Sequence, residues 1–345
     1  MPKSTDFLTN PQNFCNRWVI KMPGGQTEGA GLQGKAATFL TDRTVNQPPV
    51  GSAIPKVRAG YTIAANSVRV QWHEYSPGRL ELVIDGSAHH GNLQFQNVPL
   101  DNDWFNAFIL PWGIGKAARM ELPDQSLTGA PVRAFFTAEM NGCAFLAAGN
   151  PLSPVVAHMN VNVAVGALTL AQKDQELERM TTSVLKGARG GPNIGNETAT
   201  VLRWVTPDPA APGTFGGRLA RQGHTYADTG NEIANYDAQT TANLHAQHRK
   251  FDIAPTTDIR LATMGVLDAA TRRWTFFYQR NICTTYAHKQ RIGKLGGIRK
   301  RLFGDWRTPQ NVTTYEHIGA SQYVEIWPNG AGVLNVPAHG DPTQA

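Results

Sequence analysis

Residues Phe135–Asn162 read FFTAEMNGCAFLAAGNPLSPVVAHMNVN, and this stretch organises the chain. Two turn signals, Asn141-Gly142 and Gly149-Asn150-Pro151, divide it into three strand-like runs. The middle run opens on Cys143. In the last run Val155, Ala157, Met159 and Val161 fall on one face, and Val156, His158, Asn160 and Asn162 on the other. Short strands joined by a tight turn are usually antiparallel neighbours, so Cys143 is expected to face His158 across the pair. Thr137 lies on the strand leading in, six residues before the cysteine. A thiol, an imidazole and a hydroxyl on neighbouring strands form a candidate nucleophilic site.

The composition supports a β-rich setting. In 345 residues the chain carries 34 glycines and 22 prolines, with 41% hydrophobic and 17% charged residues, which favours a loop-rich β or α/β protein over a helical bundle. A net charge of +6 is compatible with an acidic partner surface, a phosphate-bearing ligand or nucleic acid, and selects none of them. Three widely spaced cysteines, Cys15, Cys143 and Cys283, form neither a disulfide framework nor a zinc motif and suit a reducing compartment. The opening MPKSTDFLTNPQNF has no apolar core of a signal peptide, and nowhere do about eighteen apolar residues run together. The expectation is synthesis in a reducing compartment without a Sec signal peptide, no membrane span, and export, if any, by a signal-less route.

Outward from the central stretch, strand signals recur before it at residues 67–75, 79–85, 92–98 and 104–110, separated by turns such as Pro77-Gly78 and Asp85-Gly86. They predict a meander or sandwich layer that the central stretch continues. Residues 1–60 read as mostly irregular, with one strand at Arg17–Met22. After the central stretch, residues 167–186 read as a helix with Leu177, Met180 and Val184 on one stripe, stopped at Gly187. A strand follows at 199–205. A second helix is expected over Glu232–Lys250, with Ile233, Tyr236, Thr240 and Leu244 on its stripe. Residues 258–286 predict a long hairpin turning at Asp268–Thr271, and 322–328 a final strand. No linker divides the chain. The expectation is one catalytic domain over 1–345, with 1–60 an irregular extension or wrap and 61–330 the core. The expected fold is α/β (α+β), a central sandwich of mixed sheets flanked by helices.

The chemistry of the Cys143 site needs a thiolate, because the thiol is a poor nucleophile. An imidazole within hydrogen-bond reach can take the proton, and a third group must orient the ring through its other nitrogen. Backbone N–H groups at Asn141-Gly142 can hold an oxyanion, since glycine allows close approach. The bland account is a buried cysteine in an apolar strand beside an ordinary half-buried histidine.

These residues resemble the active-site core of the glutamine deamidase toxins, the cytotoxic necrotizing factor catalytic domain and the Burkholderia lethal factor. Those families place a Gly-Cys at the start of a strand and a histidine fifteen residues on, as Gly142-Cys143 and His158 stand here. In the lethal factor and the chemoreceptor deamidases a threonine six residues before the cysteine completes the site, the position of Thr137. Asn141 and Met140 depart from the family's serine and leucine. The match covers about twenty-two residues of the chain. It implies a bacterial toxin or effector that hydrolyses a target protein's glutamine to glutamate. Cys143 would be the nucleophile, His158 the base and Thr137 the orienting group, with no cofactor and no metal. A protein substrate, a monomer and no nucleic-acid ligand belong to the same expectation.

Other candidates are weaker. His245 and His248 can share a metal on a helix but lack further ligands, and His89-His90 read as a surface turn. The run Lys289, Arg291, Lys294, Arg299, Lys300 and Arg301 can meet an acidic surface or form a plain solvated face. Walker, Rossmann, G-x-S-x-G and HExxH motifs are absent from the sequence. Two alternatives stand beside the deamidase: a cysteine peptidase or small-molecule amidase using the same pair, and a non-enzymatic basic binding module.

Overall fold

The computed structural model describes residues 2–22, 59–85, 103–113, 115–160, 200–203, 222–225, 253–289, 312–328 and 334–336, with isolated helical positions between 177 and 242. Two short helices, α1 (Lys3–Thr9) and α2 (Pro11–Arg17), precede fifteen strands among these residues. The strands before the candidate site are β1 (Val19–Lys21), β2 (Ala59–Ile63), β3 (Ser67–Ser76), β4 (Arg79–Ile84), β5 (Phe105–Leu110) and β6 (Lys116–Glu121). The central stretch supplies β7 (Ala134–Thr137), β8 (Ala144–Asn150) and β9 (Ser153–Met159). Beyond it lie β10 (Thr200–Arg203), β11 (Gln222–Thr225), β12 (Ile253–Leu267), β13 (Trp274–Lys289), β14 (Val312–Trp327) and β15 (Leu334–Val336).

The strands form two mixed sheets. The nine-stranded sheet has the order β1-β4-β3-β5-β7-β12-β13-β14-β15, and the six-stranded sheet β11-β10-β8-β9-β6-β2. Alternation explains how they pack. Phe108, Phe135, Phe276 and Ile326 from the large sheet meet Phe145, Ala147, Val156 and Met120 from the small one in a shared core. Phe145 lies 6.0 Å from Phe135 and 5.7 Å from Phe276, centroid to centroid, bridging the layers. The opposite face of the large sheet carries Val70, Trp72, Leu82, Phe136, Met264 and Phe277, and the two N-terminal helices fill it with Phe7 and Phe14. The outer face of the small sheet carries Leu146, Val155, Ala157 and Met159, covered by Leu177, Met180, Val184 and Leu185. These four positions and Thr181 are helical, at the spacing of a helix face, and include the predicted stripe. The fold is therefore α/β, a sandwich of mixed sheets with helices outside.

The large sheet curls over its helix-covered face. Although β1 pairs in parallel with β4, the Ile20 N–H donates to Gln279 Oε1 on β13 at 2.7 Å. Gln279 Nε2 in turn donates to the carbonyls of Cys15 and Trp18 at 2.9 and 2.8 Å. The expectation of irregular chain ahead of the Arg17–Met22 strand does not hold for Lys3–Thr9 and Pro11–Arg17, which are helical. Asn10 caps α2 by accepting from the Asn13 N–H at 3.0 Å, and Pro11 occupies its first position. Helix α1 is tied down by Ser4, whose N–H donates to Asp103 Oδ2 at 2.7 Å, and by Arg133, which donates to the Leu8 carbonyl at 2.9 Å. The arginine–methionine strand shrinks to Val19–Lys21 because α2 runs through Arg17.

Other expectations fare unevenly. The long hairpin forms as β12–β13, turned by Asp268, whose Oδ1 accepts from the Ala270 and Thr271 N–H groups at 3.0 and 2.7 Å. The strand predicted at 322–328 is longer, Val312–Trp327, and it is not the last, since β15 follows and pairs with it. Strand β6 was not predicted; its Lys-Ala-Ala-Arg-Met-Glu sequence has low strand propensity and is held by pairing on both sides. The strand expected at 92–98 lies outside the described residues, as do His89, His90, His245 and His248. For the second predicted helix only Ala238 and Ala242 are described, both helical and exposed; its stripe residues are not.

Candidate active site

The central stretch does not continue one sheet, as the turn pattern suggested. Strand β7 belongs to the large sheet, while β8 and β9 belong to the small one. The Asn141-Gly142 turn is therefore a crossover between layers, anchored by Met140, whose backbone exchanges two 3.0 Å hydrogen bonds with Leu261 on β12. Gly142 takes φ 92°, a left-handed value that suits glycine. The Gly149-Asn150-Pro151 signal does make a hairpin, closing β8 on β9 with Asn150 paired to Ser153.

Register corrects the expected facing pair. Phe145 stands opposite His158 and Ala144 opposite Met159, so the residue across from Cys143 is Asn160. His158 is the diagonal neighbour of Cys143 on the same face. That face turns inward, toward the core between the sheets. The polar side of the β9 alternation is thus the buried side, with Cys143 4%, His158 0%, Asn160 3% and Thr137 1% exposed. Four polar side chains in such a place need partners.

Thr137 supplies the clearest geometry. Strands β5 and β7 are parallel, with Leu110 aligned to Thr137. The Thr137 hydroxyl donates to the Leu110 carbonyl at 2.8 Å and lies 2.7 Å from His158 Nδ1. A hydroxyl has one proton, and here it is committed to the carbonyl. Nδ1 must then carry a hydrogen and donate it to Thr137, which leaves Nε2 as the ring's lone-pair nitrogen. Nε2 is buried and has no hydrogen-bond partner among the described residues. Trp112 lies alongside the same ring, centroids 6.2 Å apart and planes 18° from parallel. Burial pushes the His158 pKa down to about 3, so the imidazole rests neutral.

The sulfur sits among donors. Burial pushes the Cys143 pKa up to about 11; hydrogen bonds from the Asn160 side chain and the Asn141 backbone N–H oppose that rise. Asn160 Nδ2 donates to Sγ at 3.1 Å. The turn thus presents an N–H group, not a carbonyl, to the thiol. Thiol and imidazole are thus both neutral at rest, with no standing ion pair between them.

The structure therefore brings Cys143, His158 and Thr137 into one buried network, together with the Asn141-Gly142 turn. This is the nucleophile, base and orienting group of a cysteine hydrolase in type and placement. Of the basic run, Lys289 ends β13, and Arg291, Lys294, Arg299, Lys300 and Arg301 lie outside the described residues. Asn160, Trp112 and the Leu110 carbonyl were not singled out by the sequence. Asn160 was legible only as a member of the His158 face. The other two depend on β5 lying beside β7, which no local pattern announces.

No family model matches the chain, and no curated protein matches it. Among the solved structures that match is the C-terminal domain of CNFy from Yersinia pseudotuberculosis, with 8% identity and a TM-score of 0.27. The alignment covers 62% of this chain and 62% of that domain. The residue roles given above rest on the geometry of the network, not on that superposition.

Proposed function

We propose that the protein is a thiol-dependent amidohydrolase that converts a glutamine side chain of a target protein to glutamate. The observation that carries this reading is the committed Thr137 hydroxyl, which fixes the His158 tautomer and leaves Nε2 bare on the face that holds Cys143. In the first half-reaction the Cys143 sulfur bonds the carboxamide carbon while Nε2 takes the thiol proton. The carbonyl oxygen gains negative charge, which this reading assigns to backbone N–H groups of the Asn141-Gly142 turn to hold. The C–N bond then breaks, the imidazolium returns its proton to nitrogen, and ammonia leaves a thioester. Water adds to the thioester, giving a proton to Nε2. The C–S bond breaks, sulfur regains the proton, and a carboxylic acid remains. An amine in place of water gives transglutamination by the same steps.

Burial favours a side-chain amide over a peptide bond. This argues against the peptidase alternative, and the sequence resemblance narrows the amide to glutamine in a protein. Delivery to a target cell by a specialised route belongs to the same proposal. Incubation with extracts of candidate target cells should raise one target peptide by about one dalton at a glutamine and release ammonia, and Cys143→Ser should abolish both. Peptide-bond cleavage, or deamidation that survives Cys143→Ser, would overturn this function.

A further inference from the structure

One crossover touches Thr137, His158 and Asn160 in turn. The chain leaves the large sheet at Leu110 and enters the small one at Lys116. On the way Leu110 O accepts from Thr137, Trp112 lies against His158, and the Gly115 N–H donates to Asn160 Oδ1 at 3.4 Å. The Asn160 backbone N–H donates to the Lys116 carbonyl at 2.9 Å. Asn160 is thus gripped at its backbone and at its amide oxygen. The amide has a single sensible orientation: its oxygen faces the Gly115 N–H, so its NH₂ group faces the Cys143 sulfur, 3.1 Å away.

We propose that Asn160 is a catalytic residue of this site, whose side-chain N–H group holds the Cys143 sulfur in its anionic form during attack and again when the thioester is cleaved. This rests on the amidohydrolase reading for its chemistry. An N–H group donated to a thiol is a weak bond, and the same group donated to a thiolate is a strong one. The contact therefore gains strength as the S–H proton moves to Nε2 and as the C–S bond breaks, the two moments at which sulfur carries charge. A purely architectural asparagine needs only its oxygen, to satisfy the Gly115 N–H.

The test uses the full chain, and its first readout needs no substrate. Alkylation by iodoacetamide is followed from pH 6 to 9, with Cys143 distinguished from Cys15 and Cys283 by peptide mass. Asn160→Asp keeps the volume and the acceptor for Gly115 while removing the donor; Asn160→Ala removes both. With thermal melts confirming a folded chain and His158 present in each variant, Cys143 should alkylate roughly tenfold more slowly at each pH in both. In the hydrolysis assay kcat should fall by a similar factor with KM little changed. Wild-type alkylation rates in the Asp variant, or in the Ala variant if Asp does not fold, would overturn the role of Asn160. Slowed alkylation in the variants, with no amide hydrolysis by the wild type, supports Asn160 as the sulfur's partner and removes the amidohydrolase reading alone.

Discussion

His158 is the residue whose state decides what the site can do. Fully buried and, among the described residues, hydrogen-bonded through Nδ1 alone, it holds its pKa at about 3 rather than at the 6.5 of a free imidazole. The unfolded chain therefore takes up a proton as pH drops below about 6.5, while the folded chain refuses it until about pH 3. Stability from the neutral ring is fully present above 6.5 and is lost as pH falls toward 3. Between pH 7 and pH 5 this amounts to about 2 kcal/mol. Urea unfolding at the two pH values should show that loss in the wild type and a loss smaller by that amount in His158→Gln; equal losses would contradict the buried neutral ring. Cys143, His158 and Thr137 were legible in the sequence because their spacing is local, set by two short strands and a turn. Their true partners were not. That Asn160 and not His158 stands opposite the cysteine follows from the hairpin register, and Pro151 and Leu152 at its tip set that register.

Among the elements, β12 shows how glycine fixes a layer. Gly265 pairs with Phe135 on one side and Phe276 on the other, and both rings turn to the core between the sheets. A Cβ on Gly265 would lie 2.5 Å from Phe276 Cε1 and 3.3 Å from Phe135 Cβ. The Phe276 ring cannot yield, wedged as it is among Trp274, Phe135, Phe145 and Trp327. Gly265→Ala should cost about 1–3 kcal/mol as overpacking, seen as a lowered urea midpoint; an unchanged midpoint would mean the rings have room. The long hairpin around this glycine was readable because alternation persists over more than a dozen residues on each strand. Helices α1 and α2 were not, because seven residues hold too few repeats of a helical stripe to be noticed. The Asn10-Pro11 pair was the available sign.

At the scale of the molecule the sandwich is stabilised from outside as much as from within. Phe7 reaches from α1 into the curl of the large sheet, with ring centroids 5.4 Å from Phe14, Trp72 and Phe136 and 6.2 Å from Phe277. Phe7→Ala should destabilise the whole fold by about 3–5 kcal/mol, measured by global denaturation, and not merely loosen the N-terminus. A near-neutral effect would show that the helices are dispensable. The layered fold class was readable from strand spacing, but not the assignment of strands to sheets. Alternation says which side chains share a face; it does not say that the chain changes layers at Asn141-Gly142. One consequence of that change concerns mechanics. The nucleophile, its asparagine partner and the base are mounted on adjoining parts of one sheet, so their separations are set within a single hairpin. Thr137 and the carbonyl that engages it are mounted on the other sheet. Sliding one layer over the other would thus leave the reach from sulfur to imidazole nearly unchanged while rotating the ring about its own bond, as a tuning peg turns a string without moving the bridge.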